Sequence, residues 1–337
     1  MVATTNAAIM KAEKAERRNR DVEAQLEQQS KELRTLLNQL RQSEALRQQT
    51  LELLETKTSE LRGAQAFMSK EDSLSGADVI GMVKSLNAEI LQVAAFMADS
   101  LEDLGKIQTE DVEITPTKSA AGLGKYIIRA LRFRQNRAEF DPMPVQIALQ
   151  VCLIQACKRV VDGWVPGVPG HDLIFDRVYA RVRDTEGQSI SGRWRAMTRS
   201  QIRNMAGEDA HTSIMKIVTD EVFEVFRIAG YSTRDLKKNS YFDKFRERLD
   251  AIGRLTYRIQ EAIGEGLTSE DFHMSVVGVG EGFDPEEMDD TFLQSGSAAR
   301  GERVAGTTDF GLSIQASKKG SPPTILKKPK VVLASAL

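Results

Sequence analysis

The chain is poor in the residues that build metal centres and disulfide networks. Its 337 residues include only three His and two Cys. These counts are too low for an array of zinc ribbons or for a disulfide scaffold. Cys152 and Cys157 lie five residues apart in an apolar run, and this spacing matches neither a CxxC redox pair nor a zinc hook. We therefore expect two buried free thiols, and we expect neither a metal nor a cofactor.

Glycine and proline are scarce and unevenly placed. The chain has 24 Gly and 9 Pro, with no Gly before Gly63 and no Pro before Pro116. Because these residues interrupt helices, their absence from the start of the chain permits one long helix there. The aromatic fraction of 6% is thin for a β-sandwich.

The charges nearly cancel, and no segment is suited to a bilayer. Charged residues make up 28% of the chain, yet the formal net charge is only −2, so no global field attracts nucleic acid or a membrane. The most apolar stretch, 145–157, is short and interrupted by three Gln, which argues against a transmembrane segment. The first ten residues lack the apolar core of a secretory signal. We expect an intracellular protein, cytoplasmic or nuclear.

Leucine recurs every seven residues near the start of the chain. In the heptad notation abcdefg this row is the d row, and Arg47 is its only polar member. The a row, three residues earlier in each heptad, is mostly polar. Leucine at d favours two strands, so the pattern predicts a coiled coil over 19–70 that makes a homodimer, after a frayed segment 1–18. The alternative is an antiparallel fold-back onto the next helix. The apolar seam residues are Leu26, Leu33, Leu40, Leu54, Leu61 and Met68.

Basic residues before this seam raise the question of a bZIP protein, whose basic helix enters the major groove. Glu13, Glu16 and Asp21 interrupt the basic run. A solvated helical turn is therefore the preferred interpretation.

The middle of the chain has the pattern of a globular helical body. Ser75 and Asp78 have the spacing of a capping box, which begins a linking helix within 71–108. Apolar residues at helical spacing predict the body over 119–266. The predicted helices cover 120–137, 142–161, 173–183, 192–205, 209–229 and 240–263.

The segment 142–161 is apolar on all sides, which is typical of a central buried helix. Beyond it, residues 267–337 are rich in Gly, Ser, Thr and acids. That composition predicts a mostly disordered tail, acidic and then basic, with one short strand near 272–277. The expected fold class is therefore all-α: a coiled coil, a multi-helix body and a disordered tail.

Three segments resemble a known set of sequences. They are LSGADVIGMVKSLNAEILQVAAFMADS at 74–100, GTTDFGL at 306–312 and ILKKPKVVL at 325–333. Together they are similar to an uncharacterised family of predicted proteins from mushroom-forming fungi, over residues 40–337 with gaps. The resemblance implies a eukaryotic intracellular setting and brings no activity or site residues.

Motifs that carry chemistry are incomplete. The run 278–282 (GVGEG) resembles the start of a dinucleotide fingerprint, but no second glycine pair and no βαβ unit accompany it. Gly124-Lys125 lacks the first glycine of a P-loop. None of the three His has a ligand partner at metal spacing, and the acidic run 284–290 is expected to be unfolded. We therefore expect no enzyme, with an activity of unrecognised type as the third hypothesis.

Two helices carry basic residues without nearby acids. On 120–137 these are Lys125, Arg129 and Arg132, and on 192–205 they are Arg195, Arg199 and Arg203 beside Trp194. Such stripes track phosphates, and a Trp can stack on a base. The preferred interpretation is that they are solvated faces, or that they pair internally with acids in 208–224 and in the acidic tail. Anionic lipid headgroups are a further alternative.

We expect a non-enzymatic coiled-coil interaction or scaffold protein that self-associates and binds a protein partner. The alternative is a nucleic-acid-binding dimer that uses the basic helical stripes. The run 327–330 (KKPK) fits a short nuclear-import patch near a mobile C-terminus.

Overall fold

A computed structural model divides the chain into two units, 1–69 and 70–337. It describes residues 2–68, 72–104, 122–135, 141–165, 172–206, 209–231, 241–292, 301–315 and 322–337.

The first unit is one unbroken helix, α1 (Val2–Met68). The run of helix-forming residues without Pro explains its continuity. The helix includes residues 2–18, the segment for which we expected a frayed N-terminus. Side chains from residue 13 to residue 65 are exposed, apart from the half-buried Thr58.

The second unit is mainly helical, as expected. The Ser75–Asp78 capping box is confirmed: the Asp78 amide donates to the Ser75 hydroxyl, and the Ser75 amide donates to the Asp78 carboxylate at 2.8 Å. The helices are α2 (Gly76–Asp99), α3 (Leu101–Leu104), α4 (Gly124–Gln135), α5 (Met143–Asp162), α6 (Asp172–Thr185), α7 (Gln188–Ala206), α8 (Asp209–Ile228) and α9 (Tyr241–Glu261).

The predicted helices of the body are confirmed within a few residues at each end. The helix predicted over 120–137 is observed over the shorter range 124–135 within the described residues. The stretch 109–118, between the predicted linking helix and the predicted body, lies outside the described residues.

α5 is the central helix, as its composition predicted. It is buried around its circumference, and its neighbours are α2, α4, α8, α9 and a β-strand from the C-terminal part. The apolar face of α2 packs in the same core, where Val83, Leu86 and Ile90 are fully buried. By length and hydropathy α2 is the one described helix that could cross a bilayer. Its buried face identifies it instead as a core helix.

The all-α expectation is wrong for the C-terminal part. Residues predicted to form a disordered tail build two small sheets, and Phe310, Leu312 and Val332 are fully buried there. The strands are β1 (Asp271–Ser275), β2 (Asp289–Asp290), β3 (Val304–Asp309), β4 (Gly311–Gln315), β5 (Thr324–Lys327) and β6 (Lys330–Leu333).

The first sheet has the order β1-β4-β5 and is antiparallel. The second has the order β2-β6-β3, in which β2 is parallel to β6 and β3 is antiparallel to it. The predicted import patch therefore covers the end of β5, the start of β6 and the two residues between them, where the chain passes from the first sheet to the second. Lys327 donates to the Phe310 carbonyl at 3.0 Å, and Lys328 donates to the Pro285 carbonyl at 2.7 Å. The patch is therefore structured, because its lysines hold backbone carbonyls.

A buried amide joins the helices to the sheets. The Asn87 side chain of α2 donates to the Phe310 carbonyl at 3.1 Å and accepts from the Phe310 amide at 2.9 Å. The Phe310 carbonyl also accepts from Lys327, but without Asn87 the Phe310 amide would be buried without a partner, which costs about 1–3 kcal/mol. This pair of bonds fixes the turn between β3 and β4 against α2.

Cys152 and Cys157 are buried free thiols, as predicted. Burial raises the pKa of Cys157 to about 12 and raises the pKa of Cys152 well above its usual value. Neither thiol is reactive in the folded protein near neutral pH, because the thiolate is the reactive form.

The contact between β3 and α5 depends on Gly306. A Cβ atom there would lie 2.7 Å from Val151 and 3.1 Å from Ile127. We expect Gly306→Ala to lower the free energy of unfolding by about 1–3 kcal/mol, since it overpacks this contact. The measurement is urea unfolding followed by circular dichroism.

The matched control is Gly81→Ala in α2, where no atom lies within 4 Å of the added Cβ. It should raise stability by up to about 1 kcal/mol through helix propensity. Equal effects of the two substitutions would contradict the close packing of β3 on α5.

Candidate functional site

The row of arginines on α7 points into the second unit. Arg195 is only 5% exposed, whereas Arg199 and Arg203 are half-buried. Each has carboxylate or carbonyl partners from another part of the chain. We name Arg195, Arg199 and Arg203 the arginine row.

Gly192 brings α7 close enough for Arg195 to reach its partners. A Cβ at this position would lie 2.1 Å from the Thr268 carbonyl oxygen, so only glycine permits the approach. One helical turn later, the Arg195 guanidinium donates to the Leu267 carbonyl and to the Asp271 carboxylate at the start of β1. The missing side chain at Gly192 thus sets the position of this buried charge.

Asp271 is the centre of the polar cluster, and its carboxylate is 2% exposed. The Tyr179 hydroxyl donates to it at 2.7 Å, the Gln188 amide at 3.2 Å, and Arg183 lies 3.9 Å away. Burial by itself raises the pKa of Asp271. The Arg195 charge and the hydrogen bonds outweigh burial, and the pKa lies below its ordinary value.

Arg199 caps the carboxyl end of α5. Its guanidinium donates to the carbonyls of Val161 and Gly163 at 3.2 Å and of Asp162 at 2.9 Å, which are groups that a helix end leaves without partners. It also lies 4.8 Å from the Trp164 ring centroid. Burial and the neighbouring Arg195 charge lower the pKa of Arg199 to about 10, so it remains a cation at neutral pH.

Arg203 completes the row with two carboxylates. Its guanidinium contacts Glu261 at 2.5 Å and Glu265 at 2.6 Å. Sequence reasoning left internal pairing open and sought the acids in 208–224 and in the tail. One partner, Asp271, does lie in the segment predicted as the tail, whereas the others are at the end of α9 and in the π-helical turn that follows it (Ala262–Gly266), and none of these partners comes from 208–224.

Trp194 is part of an aromatic cluster rather than a free stacking surface. Its ring stacks on Tyr179 with centroids 6.0 Å apart and an interplanar angle of 7°. Trp164 meets Trp194 edge-on at 5.8 Å and stacks on Phe175 at 5.5 Å. The Trp164 indole donates to Asp176 at 2.7 Å. The cluster joins α6 and α7 to the carboxyl end of α5.

The basic residues of α4 are placed differently. Lys125, Arg129 and Arg132 are exposed on one face, and α4 contains no acidic residue. The Lys125 ammonium lies 5.2 Å from the Tyr126 ring centroid. The structure therefore separates two sets of basic residues that the sequence presented alike.

The leucine seam of α1 is exposed along its length. Leu26, Leu33, Leu40, Leu54 and Leu61 are each between 56% and 61% exposed. The side chain of Met68 lies outside the described residues.

Chemistry-bearing residues are scattered rather than convergent. His211 pairs with Asp250 at 2.8 Å in an open groove of about 750 Å³ between α8 and α9, and His273 lies on β1. Among the residues that the structure describes, no group of three His, Cys, Asp or Glu is placed to hold a metal ion. His171 lies outside them.

Sequence reasoning missed Gly192, Tyr179 and Asp271. A lone acid before a short strand carries no pattern, and a glycine within a helix predicts only lower helix propensity. The four-residue spacing of the arginines showed that they share one face of a helix. It did not show which residues they contact.

The Arg195–Asp271 pair can be tested by removing one charge. We expect Arg195→Met to lower the free energy of unfolding by about 3–5 kcal/mol, because it leaves a buried carboxylate without its cation. Arg203→Met on the same helix is the control and should cost about 1 kcal/mol or less, since its pair is partly exposed. Similar losses from both would contradict the importance of the buried pair.

The same pair gives a pH dependence. Because the folded pKa of Asp271 is lowered, its stabilisation is complete above the unfolded pKa of about 3.9 and is lost as the pH falls through the folded value. Asp271→Asn should therefore lose less stability than the parent protein between about pH 5 and pH 2, measured by thermal unfolding.

Comparison with known proteins gives no relative. No family model matches the chain, no curated protein matches it, and no solved structure matches its fold.

Proposed function

We propose that the protein is a non-enzymatic scaffold that self-associates through α1 as a coiled coil and binds a protein partner through its second unit. The observation that carries this proposal is the exposed leucine seam on a helix of 67 residues. Such a helix is about 100 Å long and has no core of its own. Its stability in water requires a partner for the apolar row.

The alternative fold-back onto the next helix is disfavoured by packing. The apolar face of α2 is already buried in the core of the second unit, with Val79, Val93 and Met97 at 0% exposure. Leu91, at 45% exposure, is the one large apolar side chain of α2 that remains exposed, which is too little surface to cover the leucine row of α1. A second copy of α1 is the partner with matching length and periodicity.

The second unit supports an interaction role through α6. Leu173 and Ile174 are 64% and 66% exposed, and Val178 is 42% exposed on the same helix. Apolar side chains exposed together are typical of protein-binding surfaces. The two reduced thiols are compatible with an intracellular setting.

Seam substitutions in the full chain test self-association. We expect Leu33→Gln with Leu40→Gln to weaken the dimer at least 100-fold, because four buried leucines per dimer are lost at about 1.5–3 kcal/mol each. Glutamine keeps the helix propensity and the net charge. Sedimentation equilibrium over a concentration series measures the dissociation constant.

The matched control is Leu46→Gln with Leu53→Gln. These leucines are 65% and 59% exposed, but they lie at c positions outside the seam. They should leave the dissociation constant within a few-fold of the parent value. A monomeric parent chain at all concentrations would overturn the proposed self-association.

A second candidate, the nucleic-acid-binding dimer, is favoured only by the exposed basic face of α4. The arginine row supports it less, because its charges are paired within the fold. If α4 binds phosphates, affinity for single-stranded DNA must fall steeply with salt, and Lys125→Gln with Arg129→Gln must reduce that salt dependence. Arg177→Gln with Arg181→Gln on α6 is the control. Absence of binding at low salt removes this candidate.

A further inference from the structure

The seam of α1 has oppositely charged residues at its middle. Glu44 occupies an a position and Arg47 the next d position, and both side chains are exposed. Apolar residues surround them symmetrically: Leu40 and Leu51 lie four residues outside the pair, and Leu37 and Leu54 lie seven residues outside it. The residue types in these layers therefore mirror one another about the point between residues 45 and 46.

A parallel, in-register pair places each of these charges against its own copy. In such a pair each residue at an a position faces the a position of the second copy, and each residue at a d position faces the d position. Glu44 would therefore meet Glu44, and Arg47 would meet Arg47. Glu23, which is also at an a position, would face Glu23 of the second copy, and this would be a third pair of like charges. Like charges forced together in a desolvated seam are strongly unfavourable.

An antiparallel pair changes these contacts, because a layers then face d layers. With the axis of symmetry between residues 45 and 46, Glu44 faces Arg47 of the second copy, twice per dimer. Leu37 faces Leu54, and Leu40 faces Leu51, on both sides of this charged centre. All seam leucines are buried in either orientation, so the apolar gain is similar and the charges decide between them.

The residues beside the seam favour the same arrangement. At e positions, which meet each other in an antiparallel pair, Arg34 lies opposite Glu55 and Glu27 lies opposite Arg62. Each combination occurs twice. Glu27 also has an exposed contact with Lys31 of its own helix at 2.9 Å, which leaves one of its oxygens to a second cation.

A shift of one heptad in either direction removes this agreement. One shift places Arg34 opposite Arg62, and the other places Glu27 opposite Glu55. Both shifts leave Glu44 facing a leucine. Charge complementarity therefore selects one register.

We propose that α1 pairs with α1 of a second copy in antiparallel orientation, with Glu44 facing Arg47 across the dimer axis. The overlap covers residues 23–68, about 70 Å of helix. The inference rests on the proposed function, since it names the orientation of the self-association argued there.

Cysteine cross-linking in the full chain tests the orientation. Leu37→Cys and Leu54→Cys are made as single variants, and each is studied alone and after co-expression with the other. A short bis-maleimide at pH 7 links seam thiols that face each other. Cys152 and Cys157 do not interfere, because they are buried and burial raises the pKa of each thiol.

We expect covalent dimers only in the co-expressed sample, because position 37 faces position 54. Leu53→Cys co-expressed with Leu37→Cys is the control. Residue 53 neighbours the seam residue but points away from it, so the cross-linked yield should be at least ten-fold lower.

Each result has one consequence. Cross-linking of Leu37→Cys with itself in a sedimenting dimer overturns the antiparallel orientation and leaves self-association intact. A dimer that cross-links at neither combination overturns the proposed register. A chain that sediments as a monomer overturns the proposed function itself.

Discussion

The second unit is organised by the need to cover α5 on every side. A helix that is apolar around its circumference is stable only when no face remains in water. Four helices cover most of α5, and β3 covers the rest where Gly306 meets Val151. The C-terminal part of the chain is therefore a structural component of the core, and the bonds from Asn87 to Phe310 hold it there.

The arginine row fixes α7 to this core by charge. Arg195 meets the buried Asp271, Arg199 caps the carboxyl end of α5, and Arg203 meets one glutamate at the end of α9 and one in the turn that follows it. Each guanidinium supplies several donors in a fixed plane, which suits carbonyls and carboxylates from different elements. These charges stabilise contacts between elements, so they contribute little field at the surface. The basic residues of α4 differ in this respect, because they are exposed on one face of the helix.

α1 differs from the second unit in where its apolar side chains lie. It exposes its apolar seam, and its charged residues are arranged symmetrically about one point. In the second unit, polar groups are matched within one chain. In the proposed antiparallel dimer of α1, Glu44 is matched by Arg47 of the second copy. The proposed scaffold thus combines a self-contained body with an incomplete helix.

The sequence by itself determined the helices, the central place of α5, the capping box at Ser75 and the buried thiols. These features depend on periodicity and composition along short stretches, and both are properties of the local sequence. It also placed the arginine row on one helical face. It did not reveal Asp271 as a partner, because residues 195 and 271 are separated by 76 positions and no local pattern joins them.

The sequence predicted one strand near 272–277, and only the tertiary structure decided that β2 to β6 join β1 in two sheets. Their composition, rich in Gly, Ser and acids, is typical of disorder when the segment is considered alone. Short strands gain stability from the surface on which they pack, and for β3 that surface is the side of α5 that the helices leave uncovered. The place of β3 thus depends on a helix more than a hundred residues earlier in the chain, whose apolar side chains the strand covers.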